Sequence, residues 1–231
     1  MKRSAITLLV LLATCALASS AFAANVVRIS QVYGGGGNSG AQFSNDYVEL
    51  HNSGGVPVDI SGWSLQYGSA TGTVDLGACT NCLTVLPAGS VIPACGYFLI
   101  QLAAGATPSG ALPTPDYAAP QATANNLGAT AGKIGLKNNG TTTPCSPQTA
   151  FVDLVGWGAT ANCFETAVAP APSNSTMLVR AGAGSTDVDN NSTDFTAVAA
   201  TPRNSQSAAN PNCQVTPTLR ETWGKVKFLY R

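Results

Sequence analysis

The chain has 231 residues with eleven basic and eleven acidic side chains, so it carries no overall charge. The charge is unevenly placed: Ala24 to Cys213 holds ten acids against five bases, about −5, and the last eighteen residues hold four bases against one acid, about +3. The acidic body argues against a general grip on a phosphate backbone, so nucleic acid is not an expected partner of that region. Few charges beside 24 glycines and 14 prolines argue against a largely helical protein.

Lys2 and Arg3, the apolar run from Ala5 to Ala18, and Ala21-Phe22-Ala23 read as the three regions of a signal peptide. Residues 1–23 are therefore expected to be removed after Ala23, with the mature protein secreted, periplasmic or at the cell surface. Leu12-Ala13-Thr14-Cys15 offers a rival reading, lipidation of Cys15, which the threonine before the cysteine fits poorly. The apolar run is short and interrupted, and no later stretch approaches the roughly 20 apolar residues of a transmembrane helix, so no transmembrane span is expected.

The first strand is predicted over Asn25 to Tyr33, leading into Gly34-Gly35-Gly36-Gly37-Asn38-Ser39-Gly40. Without a following Lys-Ser/Thr or a helix, that run is not a phosphate cradle and reads as a flexible loop. Asp46 to Asn52 alternates Tyr47, Glu49 and His51 with Val48 and Leu50, the pattern of a half-buried strand. After the Ser53-Gly54-Gly55 turn, Val56 to Leu65 reads as another β segment, with Trp63 as a core anchor. Val85–Pro93 and Gly96–Ile100 are two further strands, and the Ala, Gly, Pro and Thr-rich stretch from Ala103 to Ala131 reads as a long insertion packed over the core. Strand signals return at Lys133–Leu136, at Phe151–Trp157 with Trp157 as a second core anchor, at Thr176–Arg180 and at Phe195–Val198. Many short strands between turn residues point to an all-β sandwich or barrel.

Six cysteines follow the signal peptide: Cys79, Cys82, Cys95, Cys145, Cys163 and Cys213. An even number in an exported chain reads as disulfides. The preferred pairing joins Cys145 to Cys163 around the strand holding Trp157 and keeps Cys95 within the Cys79/Cys82 loop. Cys79-Thr80-Asn81-Cys82 lacks both the helix of a redox motif and the second cysteine pair of a zinc ribbon.

Taken in order, Val27–Val32, Asp46–Asn52, Val58–Leu65 and Ile92–Leu99 resemble the lamin-tail domain family. The later pieces Val152–Gly158, Asp187–Phe195 and Thr201–Ser205 resemble the long version found in secreted bacterial proteins. The resemblance covers Val26 to about Ser205 and implies an immunoglobulin-like β-sandwich with long loop insertions; that domain is expected over residues 24–213, followed by a basic, aromatic tail over 214–231 that lies outside the resemblance. His51 stands where the family usually has an aromatic residue, which makes it a strand side chain and not a site.

Hydrolytic chemistry needs a base against a nucleophile, paired carboxylates or a metal cage. His51 is the one histidine and reads as a surface or rim residue, and Asp46 and Glu49 fall on opposite strand faces, so no catalytic residue is expected. Asp187, Asp189, Asn191 and Asp194 form the densest group of oxygen donors and are the candidate calcium ligands, although the loop lacks the glycine and terminal glutamate of an EF-hand. In the tail, Trp223, Lys225, Lys227 and Tyr230 mix bases with aromatics; Trp223, Val226 and Tyr230 share a face at helical spacing. Such a segment either packs back onto the acidic domain or serves as an attachment signal for an anionic envelope. The function expected is a secreted, non-catalytic module for binding or attachment to an extracellular or envelope ligand. The alternatives are an accessory domain of a secreted nuclease or phosphatase system and a structural surface or matrix protein.

Overall fold

The computed structural model describes residues 26–213. Twelve strands occupy them: β1 (Val27–Tyr33), β2 (Asn45–Asn52), β3 (Val58–Asp59), β4 (Ser64–Gly68), β5 (Leu83–Val85), β6 (Val91–Ile92), β7 (Tyr97–Ala104), β8 (Tyr117–Ala118), β9 (Gly132–Lys137), β10 (Asp153–Trp157), β11 (Thr176–Arg180) and β12 (Phe195–Ala199). The one α-helical segment among the described residues is a single turn, α1 (Asn191–Asp194), capped by the Asn190 side chain. One sheet runs β12-β11-β1-β2-β7-β8 and the facing sheet runs β10-β9-β4-β5, with β3 and β6 as a separate ribbon. Every pairing is antiparallel except β7 with β8.

The fold is the all-β, immunoglobulin-like sandwich, and its core follows from period-two alternation. Ile29, Val48, Leu50, Phe98, Ile100, Leu178 and Phe195 from the first sheet meet Leu65, Ile134, Leu136, Val155 and Trp157 from the second, and Trp63 joins them. Each such side chain contributes roughly 1.5–3 kcal/mol by leaving water. The span expected as one segment from Val56 to Leu65 is two strands, because the turn at Ser61-Gly62, where Gly62 has φ +75°, separates β3 from β4.

Three expectations require correction. Strand β2 is buried on both faces. Its outer-face residues Tyr47, Glu49 and His51 lie under residues 200–213, which cross the outside of the sheet as a strap: Thr201 bonds Gln31, Arg203 bonds Glu49, and Asn210 bonds His51 and Cys95. Gly34 to Gly37 are buried and packed backbone to backbone, where a Cβ on Gly36 would stand 2.1 Å from the Asn45 carbonyl carbon and one on Gly37 2.5 Å from Gly105 Cα. The glycines allow that approach, so the segment is a wedge and not a flexible loop. Finally, the disulfides are Cys79–Cys82, Cys95–Cys213 and Cys145–Cys163. Cys95 does not join the Cys79/Cys82 loop, because the strap carries Cys213 to the start of β7.

Candidate functional site

The acidic turn after β11 is built around Arg180, the last residue of that strand and fully buried. Its Nη2 donates to both Asp153 oxygens at 2.8 Å, its Nη1 to Asp187 Oδ1 at 2.9 Å and Asp194 Oδ2 at 3.3 Å, and its Nε to the Ile29 carbonyl at 2.9 Å. The guanidinium stacks 4.5 Å over the Phe195 ring. Asp187 is also paired to Arg28 at 2.7 Å. Burial opposes charge on Arg180, but Asp153, Asp187, Glu165 and Asp194 outweigh it and hold the guanidinium above its ordinary value. Asp153 begins β10 and Arg180 ends β11, so this cluster ties the two sheets together.

The four candidate calcium ligands separate in the fold. Asp194 is buried and accepts from Arg180 and from the Val188 and Asn190 amides. Asn191 is fully buried and turned inward: its Oδ1 accepts from the Gly156 and Glu165 amides while its Nδ2 donates to the Leu154 carbonyl and Glu165 Oε2. Asp187 and Asp189 instead group with Glu165, their oxygens within 4.8 Å of one another. Three carboxylates suit a hard cation but fall short of the six to eight oxygens calcium takes. Burial, then the charges of Asp153 and Asp187, push Glu165 up to about 8. Glu165 escaped notice in the sequence because it lies in an irregular segment with no periodicity. A related arrangement, the acidic group with Arg180, could not be anticipated from spacing either, since its members are spread over residues 28–194.

A second polar network sits under the strap. Glu49 is fully buried; its Oε1 accepts from Arg203 Nη2 at 2.7 Å and from Ser30, and its Oε2 accepts the Arg203 amide at 2.7 Å. The Arg203 guanidinium lies 3.7 Å above the Tyr97 ring. His51 is fully buried, which corrects its reading as a surface or rim residue: the strap and the β11–α1 connection cover that face of β2. Nδ1 of His51 faces the Gly96 carbonyl at 2.8 Å and Nε2 faces the Asn210 amide at 3.1 Å, so the ring is neutral with Nδ1 protonated. Burial holds it down to about 4. Both nitrogens are occupied and shielded, so His51 does not meet solvent as a base. Asp46 points to the opposite face from Glu49 and accepts the Gly36 and Leu127 amides at 2.9 and 2.8 Å.

Trp63 and Trp157 lie in the core. Trp223, Lys225, Lys227 and Tyr230, like residues 1–23 expected to form a signal peptide, lie outside the described residues. No helix among the described residues is long and apolar enough to cross a membrane.

The sequence model of the family described as Lamin Tail Domain matches residues 20–159. That span contains β1 to β10; β11, β12, the acidic turn and the strap follow it. No curated protein matches the chain.

Proposed function

The chain belongs to the lamin tail domain family, and on that premise we propose that it is a secreted, non-catalytic module for binding or attachment outside the cytoplasm. The observation that carries this reading is the use made of its chemically capable groups. The one histidine is sealed between Gly96 and Asn210, and Asp46, Glu49, Asp153 and Asp194 each hold backbone amides or an arginine. These groups hold segments together, and none of them is placed as an acid and base flanking an open cleft. Three disulfides are compatible with an oxidising compartment.

Two experiments test the reading. Pure protein incubated with phosphodiester, phosphomonoester and ester substrates in the presence of Mg²⁺ or Ca²⁺ is expected to show no turnover above buffer. Turnover lost in an Asp187→Ala/Asp189→Ala double variant would overturn the non-catalytic assignment and move the active site to the acidic turn. Sedimentation with glycan-coated beads, cell envelopes and immobilised DNA is expected to retain the protein on glycans or envelopes. Retention on DNA alone would favour the nuclease-system alternative.

A further inference from the structure

We propose that Asn139 is a self-modification site: the backbone amide of Gly140 attacks its side chain, the cyclic imide so formed opens to aspartate and isoaspartate, and the isoaspartate frees the loop 138–143 from β4. Asn139 is the one asparagine of the chain that is followed by glycine. A glycine has no Cβ to shield its own nitrogen and reaches the turn conformations that ring closure needs. Asn138 to Thr141 are exposed, so water and base reach the site.

The local geometry favours the attack. Asn139 Oδ1 accepts the Thr141 amide at 2.9 Å, an Asx turn that folds the carboxamide back over the Gly140 peptide. That N–H lies on the oxygen that gains negative charge when Cγ becomes tetrahedral, the placing that stabilises an oxyanion. Among the described residues the Gly140 amide makes no hydrogen bond, and the leaving nitrogen, Nδ2, meets only the Asn138 side chain at 3.3 Å. Asparagines followed by serine are placed differently. The Ser53, Ser175 and Ser192 amides, which follow Asn52, Asn174 and Asn191, are bonded to the Val26 carbonyl, the Ser173 hydroxyl and the Ala167 carbonyl. None of them is open as a nucleophile.

The Gly140 nitrogen gives its proton to hydroxide or buffer base as its electron pair forms the bond to Asn139 Cγ. The Cγ–Nδ2 bond breaks, and Nδ2 leaves as ammonia with a proton taken from water. Water then adds to one of the two imide carbonyls: opening at Cγ gives aspartate, and opening at the main-chain carbonyl carbon gives isoaspartate. One water is consumed, one ammonia is released, and nothing is oxidised or reduced. Both products add a negative charge, but isoaspartate alone routes the main chain through Cγ. It lengthens the chain by a methylene and turns the former main-chain carbonyl into a free carboxylate. That carbonyl accepts Ser64 Oγ at 2.5 Å, and the Thr141 carbonyl accepts Gln66 Nε2 at 2.8 Å. Ser64 and Gln66 are fully buried on the outer face of β4, opposite the core residue Leu65, so the loop is their cover. Its far end is tied by the paired amides and carbonyls of Leu76 and Thr143.

Peptide mapping by mass spectrometry, on the full chain held at pH 8.5 in heavy-oxygen water, tests the modification. Residue 139 is expected to convert at least tenfold faster than Asn38, an exposed asparagine followed by serine, with one heavy oxygen in the product. In Gly140→Ala the added methyl would meet only Val85 Cγ2, at 3.5 Å, so the loop is kept while conversion is expected to slow at least fivefold. Conversion no faster than at Asn38, an equal rate in Gly140→Ala, or a native rate tenfold below that of the chain unfolded in urea would overturn the self-modification. Amide hydrogen exchange reads the release separately. The Leu76 and Thr143 amides are expected to exchange at least fivefold faster in the isoaspartate fraction than in fresh protein. Asn139→Asp, which has the charge and an unchanged main chain, is expected to keep the fresh rate. Unchanged exchange in the isoaspartate fraction, or equal acceleration in Asn139→Asp, would overturn the release.

Discussion

Arg180 and Asp153 join the two sheets through a guanidinium nitrogen 2.8 Å from both carboxylate oxygens, with both side chains fully buried. Asp153 Oδ2 also accepts the Ile29 amide at 2.6 Å, so one carboxylate serves a strand of the opposite sheet and the arginine beside it. Arg180→Gln would leave Asp153 and Asp194 buried without their counter-charge. Breaking a buried pair from one side costs about 3–5 kcal/mol. Urea denaturation is expected to show a loss of that size, and a loss under about 1 kcal/mol would mean that water reaches the cluster.

Two limbs of the stability–pH curve follow from named groups. His51 is held down to about 4 in the fold, below its ordinary 6.5. The folded state therefore binds fewer protons than the unfolded chain between those values, and stability is lost as pH falls from 6.5 to 4, by at most about 3 kcal/mol. His51→Phe, which keeps a ring beside Tyr97, is expected to flatten this limb. An unchanged acid slope in that variant would assign it to another group.

Glu165 acts in the opposite direction. Its carboxyl is pushed up to about 8 by burial and by Asp153 and Asp187. The stability linked to its neutral form is present below pH 4.5 and lost as pH rises through 8. Glu165→Gln stays neutral and keeps an acceptor for Asn191. It is expected to equal the parent chain near pH 4 and to exceed it in melting temperature at pH 8.5; equality at both would show Glu165 to be freely solvated.

The three disulfides close segments of very different length, with sequence separations of 118, 18 and 3. Chain entropy then orders their contributions at about 5, 3 and 2 kcal/mol for Cys95–Cys213, Cys145–Cys163 and Cys79–Cys82. Paired Cys→Ser variants unfolded in guanidinium are expected to follow that order. Loss of the strap's bridge should also speed amide exchange at Tyr97 and Asn210, and an unaffected strap would show that Glu49 and Arg203 hold it alone.

Gly36 and Gly40 make a controlled comparison. A methyl group on Gly36 would meet the Asn45 carbonyl carbon at 2.1 Å and the Asp46 nitrogen at 2.2 Å, while Gly40, at φ +78°, has nothing within 4 Å. Gly36→Ala is expected to cost about 3 kcal/mol or more, since backbone must move. Gly40→Ala should cost about 1 kcal/mol for its backbone conformation alone. Similar losses in both would restore the reading of the whole run as a mobile loop.

The sandwich itself was legible in the sequence. The alternation of Asp46–Asn52 and the short apolar run within Thr176–Arg180 are local signals, and β2 and β11 lie at those residues. The ordered pieces from Val27 to Leu99 carried the family, because they combine strand runs with the turn chemistry of Asp59-Ile60-Ser61-Gly62 in a fixed order. Alternation also separated the faces correctly, placing Val48 and Leu50 opposite Glu49 and His51.

What covers a face is decided elsewhere. Alternation marks Glu49 and His51 as polar and therefore outward, and only the tertiary course of residues 200–213 buries them, through Arg203 and Asn210 some 150 residues downstream. The same holds for Cys95 with Cys213, for Arg180 with Asp153, and for Glu165 with Asp187 and Asp189. Side-chain periodicity is fixed by backbone geometry within a few residues and can be read directly. Partners brought together by chain crossings depend on how whole strands pack, and their residues carry no mark of it until the sheets have formed.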